Sequence, residues 1–234
     1  MRFIITFLLV FLSLSGCQQD TNKEKIIDYS QIKISDSIQA SSELESIIKP
    51  YRDKIESEMN QKLTHSPKSL YKTDYQLNTP IGNLMADAVL EMSNPIFKNR
   101  EQKKVDAVLL NYGGIRAGIN KGDVSVRTAF NIMPFENQVI IAELPYSSVK
   151  KMIDYLVTEK KAHPIAGMQI VLDQNGNLQS ATINNQALQK DKNYYIATSD
   201  YLFNGGDNMK FFADAISSYD IDYKLRNLFI DYFR

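Results

Sequence analysis

Val105-Asp106-Ala107-Val108-Leu109-Leu110-Asn111-Tyr112-Gly113-Gly114-Ile115-Arg116 is the stretch on which the fold reading turns, and its sense is completed by Pro134-Phe135-Glu136-Asn137. The apolar run 105–110 predicts a short buried strand. Two glycines follow it, and glycine lets the backbone turn sharply and lets a ligand approach the main chain. Arg116 then adds a planar, permanently charged fork suited to phosphate or carboxylate. A strand end, a permissive turn and a cation together read as an anion site. A tight turn whose arginine makes a structural ion pair is the competing reading, because so short a motif carries little by itself.

Upstream, Thr79-Pro80 predicts a helix start, with Thr79 as N-cap and Pro80 at the first helical position. Leu84, Val89 and Met92 would face the core, and Ala86 and Ala88 would allow close packing. This helix opens beside Gly82-Asn83, so its positive end could also face an anion. Residues 70–77 read as a weak strand. Residues 41–62 read as a helix with an apolar stripe of Leu44, Ile47, Ile48, Tyr51 and Ile55, kinked or broken at Pro50. Downstream, Ser125 is expected to cap a short helix that Pro134 stops. Strands are expected at 139–144, 168–172, 181–183 and 194–198, with a turn at Asn175-Gly176. Ser147 should begin a helix packed through Val149, Met152, Ile153 and Leu156, and 221–233 should form a closing helix. Strands and helices alternate irregularly, which favours α+β or a multilayer α/β arrangement over a doubly wound sheet.

The 234 residues have room for one large domain or two small ones. Lysine and arginine number 27 against 27 aspartates and glutamates, and no basic stripe carries interleaved aromatics, so nucleic acid is not an expected partner. The beginning of the chain reads as separate from the fold. Met1-Arg2, an apolar run over 3–14 and Ser15-Gly16-Cys17 describe an export signal over residues 1–16, too short for an ordinary membrane-spanning helix. Leu14-Ser15-Gly16-Cys17 resembles the lipobox of bacterial lipoproteins, which implies cleavage before Cys17 and lipidation of it. Cys17 is the only cysteine, so no disulfide framework is expected. An ordinary signal peptide with an incidental cysteine is the alternative. Residues 17–40 are polar and aperiodic and read as a tether, and 41–234 as one domain. The expectation is an exported protein, lipid-anchored to a bacterial membrane and facing the periplasm or cell surface. Gln18, where aspartate commonly marks inner-membrane retention, leans the reading to the outer membrane.

The chemistry concentrates in loops. Gly113-Gly114 carries Arg116, and Gly205-Gly206 carries Asp207, with Tyr201 and Phe203 just before and Phe135 in a third loop. An aromatic face stacks on a flat ring. An aspartate accepts two hydrogen bonds, as vicinal hydroxyls of a sugar require. An arginine suits phosphate, and Asn111 and Asn137 offer donor and acceptor pairs to a base edge. Base, sugar and phosphate make a nucleotide. Structural roles compete at each position: Phe135 and Tyr201 as core aromatics, Asp207 as a turn cap, Asn111 as a partner of loop backbone. His65 and His163 read as surface residues of loops rather than metal ligands, with no His-x-x-x-His or Asp-x-His spacing. No Ser-His-Asp or Cys-His arrangement is present.

Four motifs in order carry a family resemblance: Gly82-Asn83-Leu84-x-Ala86-Asp87-Ala88, Asn111-x-Gly113-Gly114-Ile115-Arg116, Pro134-Phe135-x-Asn137 and Ala197-Thr198-x3-Leu202-x2-Gly205-Gly206-Asp207. Over residues 71–212 the chain resembles the C-terminal domain of the bacterial and animal 5′-nucleotidases, the group that includes UDP-sugar hydrolase. The resemblance implies an α+β fold of four-layer α/β/β/α type that holds the nucleoside part of a substrate. It implies that Phe135 stacks on one face of the base and Tyr201, where the family usually has phenylalanine, on the other. It implies further that Asn111 and Asn137 hydrogen-bond the base, Asp207 the ribose, and Arg116 the phosphate. Gly167, in Ala166-Gly167-Met168, would bring its backbone near the ligand. Many relatives carry an arginine and a glutamate before the Gly-Asn-Leu motif. Here Tyr75-Gln76-Leu77-Asn78-Thr79 stands instead, so phosphate is expected to be held differently, or nucleosides to be taken.

Catalysis in the family uses a separate metallophosphatase domain with two metal ions that activate water and clamp phosphate. The stretch between Cys17 and Tyr71 is too short for that domain. The expectation is therefore a recognition domain with no catalytic residue, metal site or cofactor of its own and not active alone. It would work in nucleotide catabolism with a separately encoded metallophosphatase subunit that carries the divalent metal pair. A stand-alone nucleoside- or nucleotide-binding surface lipoprotein without catalytic role is the alternative. The preferred base and sugar stay open.

Overall fold

The computed structural model describes residues 29–234, so the expectations for an export signal over 1–16 and for lipidation of Cys17 lie outside the described residues. The chain divides into two units, Met1–Ser46 and Ile47–Arg234. In chain order the elements are α1 (Ser42–Met59), β1 (Lys62–Ser66), α2 (Pro80–Glu101), β2 (Ala107–Leu109), β3 (Gly122–Ser125), α3 (Val126–Ile132), β4 (Gln138–Pro145) and α4 (Tyr146–Glu159). They continue as β5 (Ile165–Ala166), β6 (Met168–Leu172), β7 (Leu178–Ile183), β8 (Gln186–Ala187), β9 (Asn193–Ser199), α5 (Asp200–Phe203), β10 (Ser217–Lys224) and α6 (Leu225–Tyr232).

The second unit is built on a five-stranded sheet in the order β10-β4-β9-β2-β5. Strand β2 runs parallel to β9, and the other neighbours are antiparallel. Successive strand residues face opposite sides of a sheet, and that alternation sorts the core into two clusters. Val108, Val139, Ile141 and Ala197 pack with Met85, Val89 and Phe97 of α2 and with Leu225, Leu228 and Phe229 of α6. Ala107, Leu109, Ala142, Leu144 and Ile196 pack on the other side with Val149, Met152 and Ile153 of α4, joined by Phe211 and Phe212. At about 1.5–3 kcal/mol for each large apolar side chain removed from water, these two clusters supply most of the driving force for folding. Strands β6-β7-β8 form a second sheet, and β1-β3 a two-stranded ribbon. The mixture of parallel and antiparallel pairing with helices on both faces of one sheet is the expected α+β class.

Local chemistry sets the helix ends. Thr79 has extended backbone, and its hydroxyl oxygen accepts from the Gly82 N–H at 3.3 Å, with Pro80 in the first turn. Ser125 and Thr128 form a capping box at the start of α3, the Ser125 N–H donating to Thr128 Oγ1 at 3.1 Å.

Several expectations are corrected. Residues 70–77 are not a strand: only Leu70 pairs, in an isolated bridge to Ile119. The Tyr71 N–H then donates to Asp74 Oδ2 at 2.9 Å, which closes a turn. The closing helix begins at Leu225 rather than 221, because Tyr219, Ile221 and Tyr223 alternate inward with period two and make β10. Strands β1 and β3 were not anticipated. His65 is therefore a strand residue, with Nδ1 3.3 Å from Asp123 Oδ1. His163 is not a surface residue but 7% exposed, because Pro164 beside it accepts a backbone bond from Leu110 at 2.9 Å and draws the loop onto the sheet. Helix α1 runs through Pro50, and its apolar stripe is exposed along with its charged face. Among the described residues no helix is long and apolar enough to cross a membrane.

Candidate functional site

Sheet topology decides where the loops meet. Because β2 and β9 are parallel neighbours, the segments after Leu109 and after Ser199 leave from the same end of the strands. Strand β4 is antiparallel to β9, with Val139 opposite Ser199, so the segment before β4 arrives at that end too. Three loops far apart in sequence thus converge. They enclose a cavity of about 650 Å³ whose lining includes Asn111, Arg116, Phe135, Asn137, Tyr201 and Asp207. Those are six of the seven binding residues expected from the motifs. The seventh, Gly167, does not line this cavity. It follows β5 with φ +70°, where a Cβ would come 2.4 Å from the Asp106 carbonyl oxygen, so backbone packing explains the glycine.

Asp207 is the hub. It sits in left-handed backbone conformation at φ 51°. Its Oδ2 accepts from Asn111 Nδ2 at 2.7 Å, its Oδ1 from the Tyr201 hydroxyl at 2.9 Å, and its carbonyl oxygen from the Tyr155 hydroxyl at 2.8 Å. A carboxylate only accepts, so the Asn111 amide must turn its nitrogen to Asp207. Its oxygen then lies where a side chain on Gly114 would clash, 2.5 Å from a Cβ built there. The hydrogen bond to Asp207 pushes the Tyr201 phenol above its ordinary pKa. His163 supports this group from behind. Its Nδ1 accepts from the Tyr112 N–H at 3.3 Å, its ring lies 5.8 Å from that of Tyr155, and burial pushes its pKa down.

The aromatic rings are not core residues. Phe135 is 42% and Tyr201 48% exposed, against 0% for Phe97 in the core. The Arg116 guanidinium lies over the Phe135 ring at 5.8 Å, and Nη1 donates weakly to the Gly113 carbonyl at 3.4 Å. Among the described residues Arg116 has no carboxylate partner, which removes the structural ion-pair reading of its loop. Glu136 is occupied otherwise: Lys224 and Arg226 both hold it and keep its carboxyl below the ordinary value. Asn137 Nδ2 donates to Asp200 Oδ1 at 2.7 Å. Asp200 lines the cavity and was missed by the motif reading, although it stands directly before Tyr201 in the same motif. Among the described residues no group of three or more His, Cys, Asp or Glu is arranged to hold a metal ion.

A family model described as 5′-nucleotidase, C-terminal domain, matches residues 61–214. A Bacillus subtilis protein named trifunctional nucleotide phosphoesterase protein YfkN is 25% identical over 211 residues, covering 83% of this chain and 14% of that protein. A 5′-nucleotidase of Vibrio parahaemolyticus is 24% identical over 188 residues, covering 76% of this chain and 31% of that enzyme. The chain therefore spans less than a third of the length of these two relatives. Among solved structures, a 5′-nucleotidase precursor from Thermus thermophilus superposes with a TM-score of 0.68 at 19% identity, over 81% of this chain and 39% of that one. A putative 5′-nucleotidase from Staphylococcus aureus gives 0.63 at 16% identity, over 85% and 42%. These two likenesses concern the fold.

Proposed function

The chain belongs to the 5′-nucleotidase C-terminal-domain family, and from that premise we propose that its cavity recognises a nucleotide or nucleoside on behalf of a metallophosphatase component. The observation that carries the proposal is convergence: six residues from three loops surround one opening, with two half-exposed aromatic rings among them. A planar base stacks against Phe135 and Tyr201, each stacked face contributing about 1–3 kcal/mol. Each Asp207 oxygen has accepted one hydrogen bond from the chain and retains a lone pair for a ribose hydroxyl. Arg116, with no carboxylate partner among the described residues, is free to meet a phosphate. Asn137 and Asn111 complete the polar contacts to the base.

In this reading the residues of the chain bind and orient, and orientation itself lowers a barrier by holding the scissile bond where the reaction occurs. The activated water is supplied by a divalent metal pair on the metallophosphatase component. Export and lipid anchoring through Cys17 belong to the same proposal and put the site outside the cytoplasm.

Calorimetric titration of the purified chain with AMP, GMP, adenosine and a UDP-sugar tests the recognition. At least one should bind, and Phe135→Ala should weaken it by about fivefold or more, from the lower end of a lost stacking contact upward. No heat from any of them overturns the reading. Adding a candidate metallophosphatase subunit should raise phosphate release from the same ligand. Binding without that rise favours the stand-alone binding lipoprotein.

A further inference from the structure

Asp200 lines the cavity, yet no role described so far uses it. It opens α5 directly after the N-cap Ser199 and is half-buried. Its two oxygens differ. Oδ1 accepts from Asn137 Nδ2 at 2.7 Å and from the Tyr201 N–H at 2.7 Å, which together occupy its lone pairs. Oδ2 makes no hydrogen bond among the described residues and is not among the buried atoms left without a partner, so it reaches solvent. A cavity-lining carboxylate fixed through one oxygen and uncommitted at the other is a preset acceptor.

Asn137 adds to that acceptor. Because Asp200 can only accept, Asn137 turns its nitrogen toward it, and its own carbonyl oxygen is left for a ligand. This wall therefore offers a charged oxygen beside an amide oxygen. Of the other two carboxylates lining the cavity, Glu136 is committed to Lys224 and Arg226, and Asp207 to Asn111 and Tyr201. Arg116, the cation that could cancel the Asp200 charge, sits over the Phe135 ring instead.

Building on the recognition reading above, we infer that Asp200 selects the base, favouring one whose polar edge carries adjacent N–H donors, guanine before the others. Guanine sets N1–H beside its 2-amino group, so Asp200 Oδ2 and the Asn137 carbonyl each receive a donor. Adenine and cytosine set one amino group beside a bare ring nitrogen, an acceptor facing an acceptor. Uracil sets a single N–H between two carbonyl oxygens, and either carbonyl facing Oδ2 is repelled. A buried polar group that meets the wrong partner discriminates strongly, because its own desolvation is then uncompensated.

The test is titration of the full chain with GMP, IMP, AMP and UMP. GMP should bind tightest, about tenfold over IMP, which lacks only the 2-amino group. Asp200→Asn keeps an oxygen to accept from Asn137 and Tyr201 and replaces Oδ2 with an N–H donor. It should weaken GMP by about tenfold or more and strengthen UMP, inverting the order. Equal binding of the four, or an order that Asp200→Asn leaves unchanged, overturns the inference while nucleotide recognition stands. Failure of all four to bind overturns the recognition reading instead. The comparison of GMP with IMP needs no variant, so it decides even if Asp200→Asn does not fold.

Discussion

Arg116 is exposed and lies 5.8 Å from the Phe135 ring, with no carboxylate of the described residues paired to it. A surface arginine paired to an acid contributes little, whereas one left unpaired over a half-exposed ring is set for an incoming anion. Arg116→Ala should lower the affinity for AMP by about tenfold, the worth of one charge-assisted hydrogen bond, and leave adenosine nearly unchanged. The AMP difference should shrink with salt, since the screening length falls from about 10 Å at 0.1 M to about 3 Å at 1 M. Titrations of both ligands at two salt concentrations check this. Equal losses for AMP and adenosine would mean that Arg116 supports the ring and not the phosphate. At this scale the motifs made most of the site legible, because Gly-Gly-x-Arg and Gly-Gly-Asp advertise backbone approach and charge. Asp200 escaped, because an acid after a serine N-cap reads as ordinary helix-start chemistry. The burial of His163 escaped too, because it is set by Pro164 pairing with Leu110, a contact between segments more than fifty residues apart.

Among the elements, the loop Asn204-Gly205-Gly206-Asp207 shows how backbone space serves the site. A Cβ on Gly206 would lie 2.5 Å from the Tyr201 ring and 2.6 Å from the Tyr201 carbonyl oxygen. The second contact is with backbone, so no rotamer change relieves it and the loop must move. Gly206→Ala should therefore cost about 1–3 kcal/mol, the range for overpacking, and lower the melting temperature by about 2–4 °C per kcal/mol. It should also weaken nucleotide binding by displacing Tyr201 and Asp207 together. Thermal melts and the same titrations read both effects, and a variant as stable and as tight as the parent would refute the packing argument. Strands β2, β4 and β9 and the start of α2 were legible because apolar runs and a Thr-Pro cap specify them locally. Strands β1 and β3 were not, since each is short and held by the other, with Lys62 reaching Asp123 at 2.7 Å across the pair. Strand β10 was hidden because its inward tyrosines and isoleucine run straight into the apolar stripe of α6, and the two periods blur at their join.

For the whole molecule, acid stability should fall in two stages, and the sign of each follows from where protons bind. Burial pushes the His163 imidazole below its ordinary 6.5, opposed in part by the Leu110 carbonyl and by Asp207 and Glu159, and assisted by Lys161. The unfolded chain then takes up a proton near pH 6.5 while the folded chain does not. Stability therefore declines as pH drops through 6.5 toward the lower folded value. Carboxylates with depressed values act in the same direction at lower pH. Asp123 is held below 3.8 by Lys62 and His65, Asp214 by Lys151, and Glu136 below 4.5 by Lys224 and Arg226. Their contribution is complete above those ordinary values and is lost as pH falls through the lower folded ones. The melting temperature should thus be level near neutrality, begin a first decline close to pH 6.5, and begin a second below about 4.5. His163→Gln should remove the first decline and keep the second, whatever it does to the melting temperature at neutral pH. Persistence of the first decline in that variant would transfer it to another group. An imidazole C2–H resonance titrating at an ordinary value would show that the His163 ring is open to water, and the support it gives to Tyr112, Tyr155 and Asp207 would then be lost from the account of the site.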